Sequence, residues 1–196
     1  YSSNKGTEDT DIVASLSSVS DVFVTDAFAA AHRRSPTLTG FTHSLPCIAG
    51  TLMEKEIRSL RTALRNPPRP YLAILGGAKC DDSVRVALNL ISREQVDKIA
   101  FVGVTGNLML WIDGNDIGER NKDFIRNSLG DDFEVAWEMS QRIISEHPEK
   151  AVLPVDVAVE SNGKRIPLSI DDLPTDNPIY DVGIETLKSL KPLVQN

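Results

Sequence analysis

Cysteine, histidine and long apolar runs are all scarce in this chain. Cys47 and Cys80 are its only thiols and no C-x-x-C pair exists. Two isolated cysteines point to a reducing compartment, the cytosol, with both thiols free. His32, His43 and His147 are the only histidines, and no two share a metal-ligand spacing, so no zinc site is expected. No G-x-S-x-G elbow is present, although composition leaves a Ser-His-Asp constellation open. No apolar run approaches the roughly 20 residues that cross a bilayer, and the N-terminus does not read as a signal peptide. Basic side chains are outnumbered 21 to 28, for a net charge of −7. That balance argues against nucleic acid or an anionic membrane as the partner. It leaves room for an anionic small molecule, because a few local arginines can dominate a cleft. Internal repeats and low-complexity tracts are also missing.

What remains is ordinary soluble-protein material: 196 residues, 41% hydrophobic and 25% charged. That is enough to bury a sizeable core in one domain or two small ones. Thr10–Ser17 reads as a short helix and Asp21–Val24 as a strand. Pro46 is placed to open a helix to Asn66, with Ile48, Leu52, Met53, Ile57, Leu60 and Leu64 at helical spacing. Asn66-Pro67-Pro68-Arg69-Pro70 stops it, because proline cannot continue a helix. The pattern then changes. Tyr71–Leu75 and Lys98–Gly103 are apolar runs of the kind buried on both faces of a parallel sheet. Helices are expected at 81–91 and 132–146, with a short apolar element at 108–112 and loop over 114–122. Strands are expected at 151–153 and 155–159, a turn at Ser161–Lys164, and a last helix opening at Thr186. Alternating strands and helices predict an α/β fold with parallel sheets flanked by helices. The helix from Pro46 to Asn66 divides two compositional blocks, 1–66 and 67–196.

Several segments could carry chemistry. Leu75-Gly76-Gly77-Ala78-Lys79 lies where a buried strand turns into a helix, the edge of an open α/β sheet at which ligands bind. Small residues admit a ligand to the backbone, and a helix start with a lysine favours anions. The same residues also fit a plain tight turn with an exposed lysine. Asp26-Ala27-Phe28 through His32-Arg33-Arg34 presents arginines suited to bidentate capture of carboxylate or phosphate, or simply a surface pair. Arg69 is held between prolines and reads as a fixed guanidinium or a solvated loop residue. Gly103 and Gly106 can wall a nucleotide pocket or end a strand. Asp156, among apolar neighbours, fits a hydrogen-bonded structural group better than a catalyst.

Taken together, these segments resemble phosphoglycerate kinases. Thr25-Asp26-Ala27-Phe28 through Ala31-His32-Arg33 looks like the N-D-A-F-x-x-A-H-R segment of that family. Ala49–Glu56 looks like its A-G-x-L-M-x-K-E helix, and Asn66–Lys79 like N-P-x-R-P-(F/Y)-x-A-I-L-G-G-A-K. Asp116-Ile117-Gly118, Leu153–Val157 and Asp181–Thr186 also match, all in family order. The resemblance implies a Rossmann-like architecture, with parts of two domains joined by a long helix. Residues 1–66 would be the end of a phosphoglycerate-binding domain plus the interdomain helix, and 67–196 the first part of a nucleotide-binding domain. It implies phosphoryl transfer between 1,3-bisphosphoglycerate with ADP and 3-phosphoglycerate with ATP, in glycolysis and gluconeogenesis, with Mg²⁺ accompanying the nucleotide. By the same resemblance Arg33 and Arg69 bind the phosphoglycerate anion. Gly77, Ala78 and Lys79 sit by the nucleotide phosphates, with Lys79 as the catalytic charge beside the transferring group. Asp82 lies near the nucleotide, and Gly103 and Tyr180 line adenine and ribose.

The sequence departs from the family pattern in places. Ser83 stands where many members carry a second lysine. Gly103-Val104-Thr105 replaces a run of three glycines, and Ile179 replaces a glycine beside the adenine. With Asn107–Leu110, these features look more like archaeal members. Tyr1 resembles the end of the family's L-R-F-Y strand, and the chain stops before the W-N-G-P loop and the glycine-rich turn with its Mg²⁺-binding aspartate. The expectation is therefore a central portion of such a kinase, inactive alone and prone to self-association unless flanking segments cover it. A non-catalytic nucleotide-binding or structural fragment of the same family is the alternative.

Overall fold

A computed structural model describes residues 11–65 and 67–194. The expectations placed on Tyr1, Thr10 and Asn66 fall outside them. The chain divides into two compact units, Tyr1–Asn66 and Pro67–Asn196.

The first unit opens with α1 (Asp11–Ser17), which buries Val13. Strand β1 (Phe23–Thr25) pairs in parallel with β2 (Cys47–Ala49). Between them run a 3-10 turn at Phe28–Ala30, a short helix α2 (Pro36–Thr39) and a second 3-10 turn at Gly40–His43. The ring of buried Phe41 stacks on Phe23 at 4.5 Å. Helix α3 spans Thr51–Arg65. The expected helix start at Pro46 is therefore corrected: Cys47–Ala49 is strand, and the helix begins after Gly50. The cause is tertiary. Gly50 N–H donates to Thr25 O at 2.8 Å, which carries the β1–β2 ladder up to Gly50. The Asp26 carboxylate then accepts from Met53 N–H at 2.8 Å, capping the free end of α3. A Cβ on Gly50 would lie 2.4 Å from the Asp26 carboxyl carbon, so the cap needs glycine there.

The second unit holds a parallel sheet in the order β3-β4-β5, formed by Leu72–Leu75, Lys98–Phe101 and Ala151–Val152. Helices α4 (Cys80–Ser92), α5 (Gly103–Ile112), α6 (Glu119–Leu129) and α7 (Phe133–Glu146) connect its strands. Helix α5 buries Thr105 to Leu110 without a break, as an apolar helix enclosed on all sides must. Ile99, Phe101, Leu108, Met109, Ile125 and Ile143 form the centre of the core. A second sheet, β7-β6-β8, is antiparallel: β6 (Asp156–Ser161) lies between β7 (Lys164–Ser169) and β8 (Ile179–Val182). Asn162 and Gly163 both take positive φ, 52° and 73°, at the tight turn of the β6–β7 hairpin. Helix α8 (Ile184–Val194) follows. Among the described residues, no helix is long and apolar enough to cross a membrane. The α/β architecture with helix-flanked parallel sheets is as expected; the antiparallel sheet, α6 and the early start of α5 are additions to it.

Candidate functional site

The carboxyl edge of the parallel sheet brings two glycine turns face to face. After β3 the chain passes through Gly76 and Gly77 into α4; after β4 it passes through Val102 and Gly103 into α5. The two turns touch. Val102 N–H donates to Leu75 O at 2.9 Å, and Thr105 Oγ1 donates to Gly77 O at 3.3 Å. A Cβ on Gly76 would meet the Val102 side chain at 2.6 Å and its carbonyl oxygen at 2.9 Å, so a larger residue would push the turns apart. Gly77 has φ +103° and Gly103 φ +57°, a backbone region that residues with a Cβ rarely adopt. A Cβ on Gly77 would meet nothing within 4 Å. Its backbone is therefore open to an incoming group.

Lys79 stands at the N-cap of α4, where the helix exposes unpaired N–H groups. Its side chain is exposed and has no hydrogen bond or ion pair among the described residues. Ala78 precedes it, and Asp81 and Asp82 occupy the first turn of the helix. Ser83 Oγ donates to Gly76 O at 3.2 Å, so the hydroxyl that stands for the missing second lysine fastens the turn. Cys80, fully buried just behind, has its thiol pushed up chiefly by that burial.

A cleft of about 460 Å³ opens one residue beyond Gly103, lined by Val104, Asn107, Arg120, Phe124, Ile179 and Tyr180 among others. Tyr180 and Phe124 are both more than half exposed, at 63% and 54%, and offer aromatic surface at its rim. Asn121 builds one wall. Its amide donates to Ile117, Thr175 and Asn177 carbonyls, and its oxygen accepts from Ile179 N–H at 2.9 Å. Asp181, next to Tyr180, accepts from Gly103 N–H at 3.1 Å.

The structure thus brings Gly77, Ala78, Lys79, Asp82, Gly103 and Tyr180 to one end of the second unit. It does not bring Arg69 there. Arg69 precedes β3, at the opposite end of that strand from Gly77. Its guanidinium pairs with Asp97 at 2.7 Å and also donates to the Glu94 carbonyl. Tyr71 N–H donates to Asp97 as well, at 2.6 Å. The Arg69 hydrogen bond, then that of Tyr71, holds the Asp97 carboxyl below the usual carboxylate range. Arg33 belongs to the first unit. It follows the 3-10 turn at Phe28–Ala30, and its exposed side chain has no partner among the described residues. The sequence reading missed Asp181, Phe124 and Arg120. Asp181 lay inside a segment singled out only as a match; Arg120 fell in the expected loop 114–122, which is corrected from Glu119 onward to the first turn of α6, and Phe124 lies farther along that helix.

Among the described residues, no group of three or more His, Cys, Asp or Glu side chains is arranged to hold a metal ion.

Comparison with known proteins fixes the family. The sequence model of phosphoglycerate kinase matches residues 1–196. A phosphoglycerate kinase from Methanothermus fervidus is 41% identical over 180 residues, covering 92% of this chain and 43% of that protein. One from Thermoplasma acidophilum is 40% identical over 187 residues, covering 95% and 45%. The crystal structure of the phosphoglycerate kinase from Pyrococcus horikoshii superposes with a TM-score of 0.82 at 34% identity, covering 95% of this chain and 46% of that one. The chain thus spans under half the length of these relatives, and they are archaeal, as the departures around Gly103 and Asn107 had suggested. It belongs to the phosphoglycerate kinase family.

Proposed function

We propose that the chain carries part of the machinery for reversible phosphoryl transfer between 1,3-bisphosphoglycerate and ADP, giving 3-phosphoglycerate and ATP, in cytoplasmic glycolysis and gluconeogenesis. One observation supports this most: an exposed lysine at the N-cap of α4, beside two glycine turns that meet at the carboxyl edge of a parallel sheet. That is where an open α/β sheet receives a nucleotide.

In this reading the second unit takes the nucleotide. Gly77 and Ala78 admit the phosphate chain to the backbone, and Lys79 supplies positive charge beside the transferring group. The base and ribose lie toward Gly103, the cleft and Tyr180. Asp82 lies near the phosphates, on the first turn of α4. In transfer to ADP, the bond from phosphorus to the acyl oxygen breaks and a bond to the terminal ADP oxygen forms. Charge spreads over the oxygens of the moving group, and fixed positive charge is the chief aid a protein can give. Magnesium arrives in this reading on the nucleotide's own phosphates. In the first unit Arg33, exposed and without a side-chain partner among the described residues, is the phosphoglycerate arginine. Arg69, engaged by Asp97, serves instead to fix the start of β3.

The direct test is calorimetric titration of the 196-residue chain with MgADP and, separately, with 3-phosphoglycerate. Heat from MgADP that is weakened in Lys79→Ala supports the nucleotide half of the reading. A folded chain that binds neither ligand refutes it and favours a purely structural role.

A further inference from the structure

Asp181 joins two elements 78 residues apart in sequence. One of its carboxylate oxygens accepts from Gly103 N–H at 3.1 Å and from Val182 N–H at 2.8 Å. Gly103 is the first residue of α5, and Val102 at its N-cap provides no side-chain cap. The first N–H groups of a helix have no intrahelical acceptor. Asp181 supplies one from β8, and its negative charge suits the positive end of the helix.

The consequence falls on the glycine edge. Gly103 holds φ +57°, and the position a Cβ would take lies 3.3 Å from Gly77 N. The conformation of Gly103 therefore sets how closely the turn after β4 approaches the turn after β3. A glycine is free to leave that conformation, since both signs of φ are open to it. Something has to hold it. The Asp181 carboxylate does so and is itself exposed, outside the core. Removing it would loosen the turn without opening a cavity.

We propose that Asp181 is a positioning residue for the nucleotide edge, holding Gly103 in its left-handed turn at a fixed spacing from Gly77. This rests on the reading that this edge takes the nucleotide. The acceptor oxygen does the work, so asparagine should substitute and alanine should not.

The experiment compares Asp181→Ala and Asp181→Asn in two measurements. The first is exchange of the Gly103 amide hydrogen followed by NMR without ligand. The second is MgADP affinity by calorimetry, with the thermal midpoint of each variant recorded. In Asp181→Ala, amide exchange should quicken and the dissociation constant rise, each by about tenfold, the upper range for one ordinary hydrogen bond. Asp181→Asn should stay within about twofold of the parent in both, a rescue that general destabilisation would not give. Unchanged Gly103 exchange in Asp181→Ala overturns the proposal. So does faster exchange with unchanged affinity, or an Asn variant as impaired as the Ala variant. If the parent chain binds no MgADP, the nucleotide reading fails and takes the functional part of the proposal with it. The exchange measurement then still reports separately whether Asp181 holds Gly103.

Discussion

Asp156 and Gly183 fit together as a clasp: a Cβ on Gly183 would lie 2.0 Å from Asp156 Oδ2. The carboxylate needs that space because it caps α8 from the neighbouring strand. It accepts from Glu185 N–H at 2.9 Å, and from Thr186 N–H and Thr186 Oγ1 at 2.7 Å each. Asp26 and Gly50 repeat the arrangement at the start of α3. Two of the segments that carry the family resemblance are thus explained by helix capping across the fold, with no chemistry required of their aspartates.

Gly183→Ala should therefore expel Asp156 from its donors. The expected loss is about 3 kcal/mol, from a displaced cap and buried N–H groups left unpaired. Chemical denaturation at neutral pH measures it. The pH dependence is a second readout. Burial alone would raise the Asp156 pKa, but hydrogen bonds from Thr186 and from the Glu185 and Thr186 amides, with Arg165 nearby, outweigh it and hold the carboxyl below its ordinary value. The unfolded chain then takes up its proton first as pH falls. The clasp's contribution is complete above the ordinary carboxylate range and is lost as pH drops through the depressed folded-state value. Asp156→Asn should lower stability at neutral pH and flatten the acid limb of the stability profile. An acid limb as steep as the parent's would contradict the clasp.

Lys79→Ala should weaken MgADP binding by about tenfold, the loss of one charge beside the phosphates. Adenosine carries no phosphate, so its affinity should stay the same. The two titrations, repeated at low and high salt, separate a phosphate contact from general damage, because only the charge term is screened. Equal weakening of both ligands would remove Lys79 from the phosphates.

Much of this edge was legible in the sequence because buried strands are short, apolar and punctuated. Leu72–Leu75 stands between Pro70 and Gly76, Lys98–Phe101 runs up to Gly103, and α4 and α7 show helical spacing. The unread parts have physical reasons. Cys47–Ala49 is three residues long, and its apolar positions continue the spacing of α3, so only the tertiary cap at Gly50 separates strand from helix. Helix α6 begins Glu-Arg-Asn-Lys-Asp and buries only Asn121, Ile125 and Leu129, too sparse a stripe to read as periodic. Strand β7 contains Pro167, which argues against a strand until it is seen at the edge of its sheet. The partners of Arg69 were hidden for a related reason. Prolines on either side advertise a fixed side chain, but not which end of β3 it serves or that Asp97 waits there.

Arg33 and Arg69 should accordingly separate in their effects. Arg33→Ala is expected to weaken 3-phosphoglycerate binding by about tenfold or more, as loss of a guanidinium–anion contact does. Arg69→Ala should leave that affinity unchanged and lower the thermal midpoint, because Asp97 and the Glu94 carbonyl lose their partner. Calorimetry and thermal unfolding on the same two variants decide it. Weakened phosphoglycerate binding in Arg69→Ala, with the thermal midpoint intact, would reverse the assignment.

The first unit should associate with itself in solution. Its two-stranded sheet places Val24 directly beside Ile48, and each is 54% exposed. Leu52 and Leu60 on α3 are also about half exposed, at 48% and 46%. Neither strand has a second ladder among the described residues. A two-stranded sheet is marginal alone, and unpaired strand edges beside exposed apolar surface invite pairing with another chain. Light scattering coupled to size exclusion should show mass above 21.5 kDa, rising with concentration. Val24→Thr with Ile48→Thr keeps β-branched residues in the strands while removing apolar surface, and should shift the population toward monomer. A monodisperse monomer in the parent chain at high concentration would show that these residues are tolerated in water. An unshifted assembly in the double variant would place the contact elsewhere.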